Sequence, residues 1–187
     1  MKTILTTLGF IIAVSIACPA AEVDLGTRGS LSFTLPETWT VNSNPADRPD
    51  GSLVGFALAF KPRNQANAKC LLTLAYVKKT PLDKERIRQE VLQATEQFAA
   101  QSVEKKANLK DFALKQGHGT YCVFTDAALV EKAPRKDDYK VMGSGKIQLS
   151  EEALGVVSIF ADAADGPEFK AMLSIINSLG LEPRTDN

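Results

Sequence analysis

Between Leu53 and Phe60 bulky and small residues alternate along the chain. Val54, Phe56, Leu58 and Phe60 fall on one side, and Gly55, Ala57 and Ala59 on the other. A period of two marks a strand, and a face of small residues lets a helix approach closely. The pattern predicts a central strand buried on both faces. Upstream, Val23 and Leu25 lead into Thr27-Arg28-Gly29-Ser30. Leu31, Phe33 and Leu35 then alternate with Ser32 and Thr34 until Pro36. This predicts a first hairpin over 23–35. Trp39 and Val41 follow at alternating positions. Asn42 to Ser52 carries Asn44-Pro45, Pro49 and Asp50-Gly51, and reads as a loop without regular structure.

Pro62 to Lys69 is polar and reads as a hairpin loop, and Cys70 to Val77 returns as a strand. The period then changes. Ile87, Val91, Ala94, Phe98 and Ser102 recur at steps of three and four, which predicts a helix from about Leu82 to Lys105. Thr80 is placed to cap it, with Pro81 in its first turn and Asp83 completing a capping box. Strands follow around Phe112 and Leu114 and over Tyr121–Asp126, joined by a turn at Gly117-His118-Gly119. A charged connection over 131–138 leads to a last hairpin, Val141–Leu149 and Leu154–Ala161. Phe169, Met172, Leu173, Ile176 and Leu179 form the stripe of a closing helix, with Gly180 as its terminal cap.

Hairpin spacing between most strands implies pairing in antiparallel fashion. The expected fold is α+β: a mainly antiparallel sheet of about six or more strands flanked by two main helices. One domain spans 22–181, and 182–187 forms a polar tail.

The first 21 residues stand apart. Lys2 precedes an apolar run from Ile4 to Ile16, and Ala17, Cys18, Ala20 and Ala21 follow before Glu22. A charged start, a short apolar core and small residues make a secretory signal, cleaved after Ala20 or Ala21. The run is shorter than the roughly 20 residues of a spanning helix, and no later run reaches that length. Ser15-Ile16-Ala17-Cys18 also resembles a lipobox, with Ser15 where Leu is usual. On that alternative Cys18 is the lipidated first residue of an envelope lipoprotein. The expected location is therefore periplasmic or secreted, or lipid-anchored in the envelope.

The chain has 22 basic and 22 acidic residues. Lys2 is the sole charge in the first 21, so removing them leaves a formal charge of −1. No block of five like charges occurs, which argues against nucleic acid or a basic membrane patch as partner. Cys70 and Cys122 remain after cleavage. In an oxidising compartment they predict one disulfide between neighbouring strands. The alternative is two buried thiols acting as small apolar residues.

Candidate chemistry is sparse. His118 is the single histidine, set between glycines with no evident nucleophile or metal shell around it. Gly143-Ser144-Gly145-Lys146 lacks the spacing and the strand-to-helix context of a phosphate loop, and reads as close backbone packing in a strand. Asp126, Asp137, Asp138, Glu151 and Glu152 lack a fixed pairing of the kind hydrolysis requires. Trp39, Tyr76, Tyr121 and Phe124 read mainly as core, with the loop 42–52 beside Trp39 as the first guess for a ligand edge. No catalytic, cofactor-binding or metal-binding residue is assigned, and no cofactor is expected.

Two stretches resemble a known family. Gly29-Ser30-Leu31-Ser32-Phe33-Thr34-Leu35-Pro36 with Trp39 is similar to the first hairpin of PsbP-like proteins. Pro167-Glu168-Phe169-Lys170 and Ile175-Ile176-Asn177-Ser178-Leu179 are similar to their closing helix. The group includes a photosystem accessory subunit, a yeast Ran-binding factor and exported bacterial proteins of the DcrB type. The resemblance covers the element order over 23–181. It implies a central antiparallel sheet between helices, serving as an accessory or binding module without a shared catalytic motif. The expectation is an exported, non-enzymatic binding or accessory protein with an unknown protein or small-molecule partner. The alternatives are a small periplasmic hydrolase with an unrecognised site, or the lipoprotein anchored through Cys18.

Overall fold

The alternating segments pair almost entirely as antiparallel neighbours in a computed structural model. It describes residues 20–47, 53–77, 81–133 and 135–184. The elements are β1 (Ala20–Asp24), β2 (Ser30–Thr34), β3 (Trp39–Asp47), β4 (Leu53–Pro62), β5 (Lys69–Tyr76) and α1 (Lys84–Gln101). They continue with β6 (Lys110–Asp111), β7 (His118–Thr125), β8 (Val141–Ser150), β9 (Ala153–Ala161), α2 (Pro167–Asn177) and β10 (Gly180–Glu182). A seven-stranded antiparallel sheet runs β3-β4-β5-β9-β8-β7-β6, and a three-stranded sheet runs β1-β2-β10. The chain is thus α+β, with a large antiparallel sheet and two helices.

The helices lie on opposite faces of the large sheet. Ile87, Val91 and Ala99 of α1 cluster with Cys122 and Phe124 of β7. The other face carries the main core: Phe56, Leu58, Phe60, Leu72, Leu74, Val157 and Ile159 under Phe169, Met172, Ile175 and Ile176 of α2. The small sheet joins this side, where Phe33 meets Phe60 edge-on at 5.3 Å. Gly143 and Gly145 lie within β8, where added Cβ atoms would crowd Phe169 and Tyr121. Close packing is therefore the reason for the Gly-Ser-Gly-Lys run.

Several expectations need correction. The stretch 42–52 is not irregular throughout, because β3 continues to Asp47 and pairs with β4. Pro45 is tolerated because β3 is an edge strand, needing partners on one side only. Nor is β4 buried on both faces: Ala57 is exposed and Ala59 only half-buried, since neither helix of the described residues covers them. Strand pairing near Phe112 is confined to Lys110–Asp111; Phe112 itself turns inward onto Tyr121, with ring centroids 4.5 Å apart.

In α1 the cap is Asp83, whose carboxylate accepts from the Arg86 N–H at 2.7 Å. Thr80 lies outside the described residues. The buried stripe is Ile87, Val91, Thr95 and Ala99. Ala94 and Phe98 are turned out. The helix sits close on β7, so the small Ala99 and the self-satisfied Thr95, whose hydroxyl donates to the Val91 carbonyl at 2.6 Å, fit where Phe98 would not. In α2, Ile175 is buried and Leu173 only half-buried. The helix stops at Asn177 with Ser178 as its C-cap, while Gly180 opens β10 against Ser32. Glu182, assigned to the tail, ends that strand.

The disulfide is also corrected. Cys70 and Cys122 are both free and buried. Pairing carries Cys70 across Ile159 and Gly143 to Val123, one residue from Cys122. Adjacent strand residues point to opposite faces, so Cys70 faces the main core and Cys122 faces α1. Three strand spacings, roughly 14 Å, also exceed the reach of about 7 Å for a disulfide.

Candidate functional site

The site follows from how little of the sheet α1 covers. Register places Ser144, Ser158, Leu71 and Ala59 in one row on the same face as Cys122. Helix α1 stands over β7 and part of β8 only. Beyond it, Val156 is 52% exposed and Leu71 38%. Thr73 and Ala57 continue the row of Val156, and Ser158 and Ala59 flank Leu71 in the next, all with small side chains.

A groove runs where this open face meets α1. Glu90 and Ala94 wall one hollow of ≈ 290 Å³, floored by Ser144, Gly145 and Lys146 and lipped by Val156. One to two helical turns further, Phe98 and Gln101 wall a second hollow of ≈ 250 Å³, with Phe124, Met142 and Phe160 inside it and Tyr139 at its end. Ala94 and Phe98 are four apart on α1, and Lys146, Ser144 and Met142 alternate along β8, so the hollows succeed each other in one channel.

Its charges are settled internally. Lys146 donates to Glu90 across the floor, and Arg86 supports the same carboxylate at 3.1 Å. The Lys146 hydrogen bond holds the Glu90 carboxyl below the ordinary carboxylate range, against the opposing effect of burial. At the aromatic end the Lys69 ammonium lies 4.7 Å from the Tyr139 ring centroid and 5.1 Å from that of Phe160. Burial pushes the Tyr139 phenol up, and Asp137, which accepts its hydroxyl at 3.2 Å, adds to the shift. An apolar, aromatic channel with satisfied charges is built for non-covalent burial of an apolar group.

The residues singled out in the sequence scatter. Phe124 lines the groove; Tyr121 lies on Phe112, and Tyr76 sits at the other end of the sheet. Trp39 is 4% exposed and belongs to the core; residues 48–52 of the loop beside it lie outside the described residues. His118 is not in a turn: it opens β7, and its Nε2 bonds the Leu82 carbonyl at 2.8 Å. Asp126, Asp137 and Asp138 lie at the Lys69 end, and Glu151 and Glu152 at the β8–β9 turn. The carboxylates are therefore not brought to one site. Cys18 lies outside the described residues.

Phe98, Met142, Val156 and Phe160 were missed as site residues. An apolar residue on a strand carries the same pattern whether its face is covered or bare. Only the displacement of Phe98 from a perfect i, i+4 series with Ile87 and Val91 hinted at its outward turn.

Among the described residues no group of three potential ligands is placed to hold a metal ion, and no helix is long and apolar enough to cross a membrane. No family model and no curated protein sequence matches the chain.

Proposed function

We propose that this chain is an exported binding or accessory protein of PsbP-like fold, which holds an apolar helix of a partner protein against the bare half of its large sheet. The observation that carries the reading is the berth beside α1. From β9 to β3 it spans four strands, roughly 15–20 Å, where a helix needs about 10–12 Å. Val156 and Leu71 supply apolar contact, and Ala57, Ala59 and Ser158 admit close approach. Lys61 and Lys69 stand at one end of this face on neighbouring strands. They complement the carboxyl-terminal end of a helix or acidic residues in its last turn.

The test is a photoreactive residue in place of Val156, with Leu92 on the far flank of α1 as control, in the host that exports the protein. The reading expects a discrete adduct from position 156, absent from position 92 and lost when Leu71→Asp is added to a folded protein. Equal adducts from both positions, or none from 156, would count against it.

The register of β1 favours a second reading of the N-terminus. Ala20 pairs with Thr34 and Ala21 with Phe33, and Ala21 packs against the core. Processing before Cys18 keeps both residues in the strand, as the lipoprotein alternative requires. Cleavage after Ala21 removes them. Mass spectrometry of the mature N-terminus separates the two: a lipid on Cys18 supports the anchor, and a chain starting at Ala21 or Glu22 supports simple release.

A further inference from the structure

At the end of the large sheet opposite Lys69, five segments converge on a cleft of ≈ 470 Å³. Thr27 and Arg28 come from the turn between β1 and β2, and Tyr76 from the end of β5. Gln116 precedes β7, Ser150 and Glu152 flank the β8–β9 turn, and Arg184 follows β10. The groove beside α1 shares none of these residues.

Hydrogen-bond capacity in the cleft is unbalanced. Among the described residues Glu152 is the one carboxylate in the lining, and its Oε2 already accepts from Arg28 Nη1 at 3.2 Å. Arg28 is fixed a second time, with its guanidinium carbon 4.9 Å from the Tyr76 ring centroid. That leaves most of its five N–H donors unspent. Gln116 uses its carbonyl oxygen to accept from the Leu181 N–H at 2.7 Å, which turns its NH₂ to donation elsewhere. Ser150 accepts from the Glu152 N–H at 3.3 Å and keeps its own proton to give. The Tyr76 hydroxyl is buried and has no partner among the described residues. Arg184 spends one contact on the Gly26 carbonyl, at 3.5 Å. Among the described residues the side chains of the lining offer more donors than acceptors, and two guanidinium groups share the cleft with one carboxylate.

We propose that this cleft binds a small anion rich in acceptor oxygens, a phosphate or a dicarboxylate, between Arg28 and Arg184. The planar fork of each guanidinium matches two oxygens at once, and an exposed Arg held by a ring and a carboxylate loses little freedom on binding.

The experiment is calorimetric titration of the purified chain with inorganic phosphate and, separately, with succinate at low salt. Saturable binding of either supports the site, and the anion that binds names the chemistry. Arg184→Gln should weaken it about tenfold or more, and Arg28→Lys, which keeps the charge facing Glu152 but loses the fork, several-fold. Lys106→Gln, an exposed charge on another face, should leave it unchanged. Two variants at separate anchor points keep the test informative should one fail to fold. No saturation by either anion up to about 10 mM, or equal weakening by Arg184→Gln and Lys106→Gln, overturns the proposal.

Discussion

Lys146 in β8 and Glu90 in α1 form an ion pair across the floor of the groove, each side chain 26% exposed. It joins the helix to the strand at the boundary of the bare sheet face. Lys146 alternates with Gly145 and Ile147, which face the main core, so its stem lies on the α1 face and reaches Glu90 there. On the other flank, Asp111 takes Arg88 at 2.7 Å and Lys84 at 2.8 Å. The helix is therefore pinned by charge on both sides of a narrow apolar stripe.

The first prediction concerns pH. The folded-state pKa of Glu90 is lowered, chiefly by its hydrogen bond from Lys146. Stability from this pair is fully present above the ordinary Glu pKa of about 4.3 and is lost as pH falls through the lower folded value. Melting curves of the wild type and Glu90→Gln should differ at pH 7 and converge toward pH 3. A gap that stays constant over that range would show that the pair has no linked proton.

Thiol chemistry gives the second. Both cysteines are buried and unbridged, and burial alone drives the Cys70 thiol far up from its ordinary value. Burial is also the leading cause of the raised Cys122 value, despite the Thr95 hydroxyl 3.9 Å from its sulfur. A thiol reagent should find both cysteines unreactive in the folded protein and both reactive in guanidinium, without prior reduction. A reductant should leave the melting temperature unchanged. Detection of a Cys70–Cys122 bridge by mass spectrometry would overturn this arrangement.

The main core was legible because its periodicities are clean. Phe56, Leu58 and Phe60, and then Phe169, Met172 and Ile176, lie where period two and period 3.6 place them. Errors arose where one pattern admits two environments. Ala57 and Ala59 suit a helix-covered face and a bare one equally, so the berth could not be read from β4 alone. Strand character in Asn42–Asp47 was hidden by Asn and Pro, which an edge strand tolerates. The cysteines could not be placed because bonding depends on strand order: β9 and β8, which follow both cysteines in sequence, come between β5 and β7. Arg28, Tyr76 and Arg184 meet only through the sheet order, and no local motif marks their cleft.

The third prediction weighs the two sides of α2. Ile175 and Ile176 are fully buried, whereas Leu173 is half-buried. Ile175→Ala and Ile176→Ala should each cost about 2–5 kcal/mol, the range for large-to-small changes in a core. Leu173→Ala should cost less than either. Denaturant unfolding measures all three, and a larger loss at Leu173 would mean that the helix is rotated from the position described.

The last prediction concerns His118. Leu82, one residue before the α1 cap, has both backbone groups held by side chains: its N–H donates to Gln148 Oε1 at 2.8 Å, and its carbonyl accepts from His118 Nε2 at 2.8 Å. His118 and Gln148 are themselves cross-strand partners. The pair acts as a clip that fixes where α1 begins, and neither residue lines the groove or the arginine cleft. His118→Ala removes one hydrogen bond and should cost about 1 kcal/mol, more if the freed carbonyl stays dry. Amide exchange should quicken first at Lys84–Arg88, because opening the clip loosens the first turn of the helix before the sheet. Below the melting temperature, adduct formation from position 156 and anion binding between Arg28 and Arg184 should both persist. If either collapses in a variant that remains folded and keeps its normal exchange along α1, His118 has a direct part in function, and the structural role given to it here is wrong.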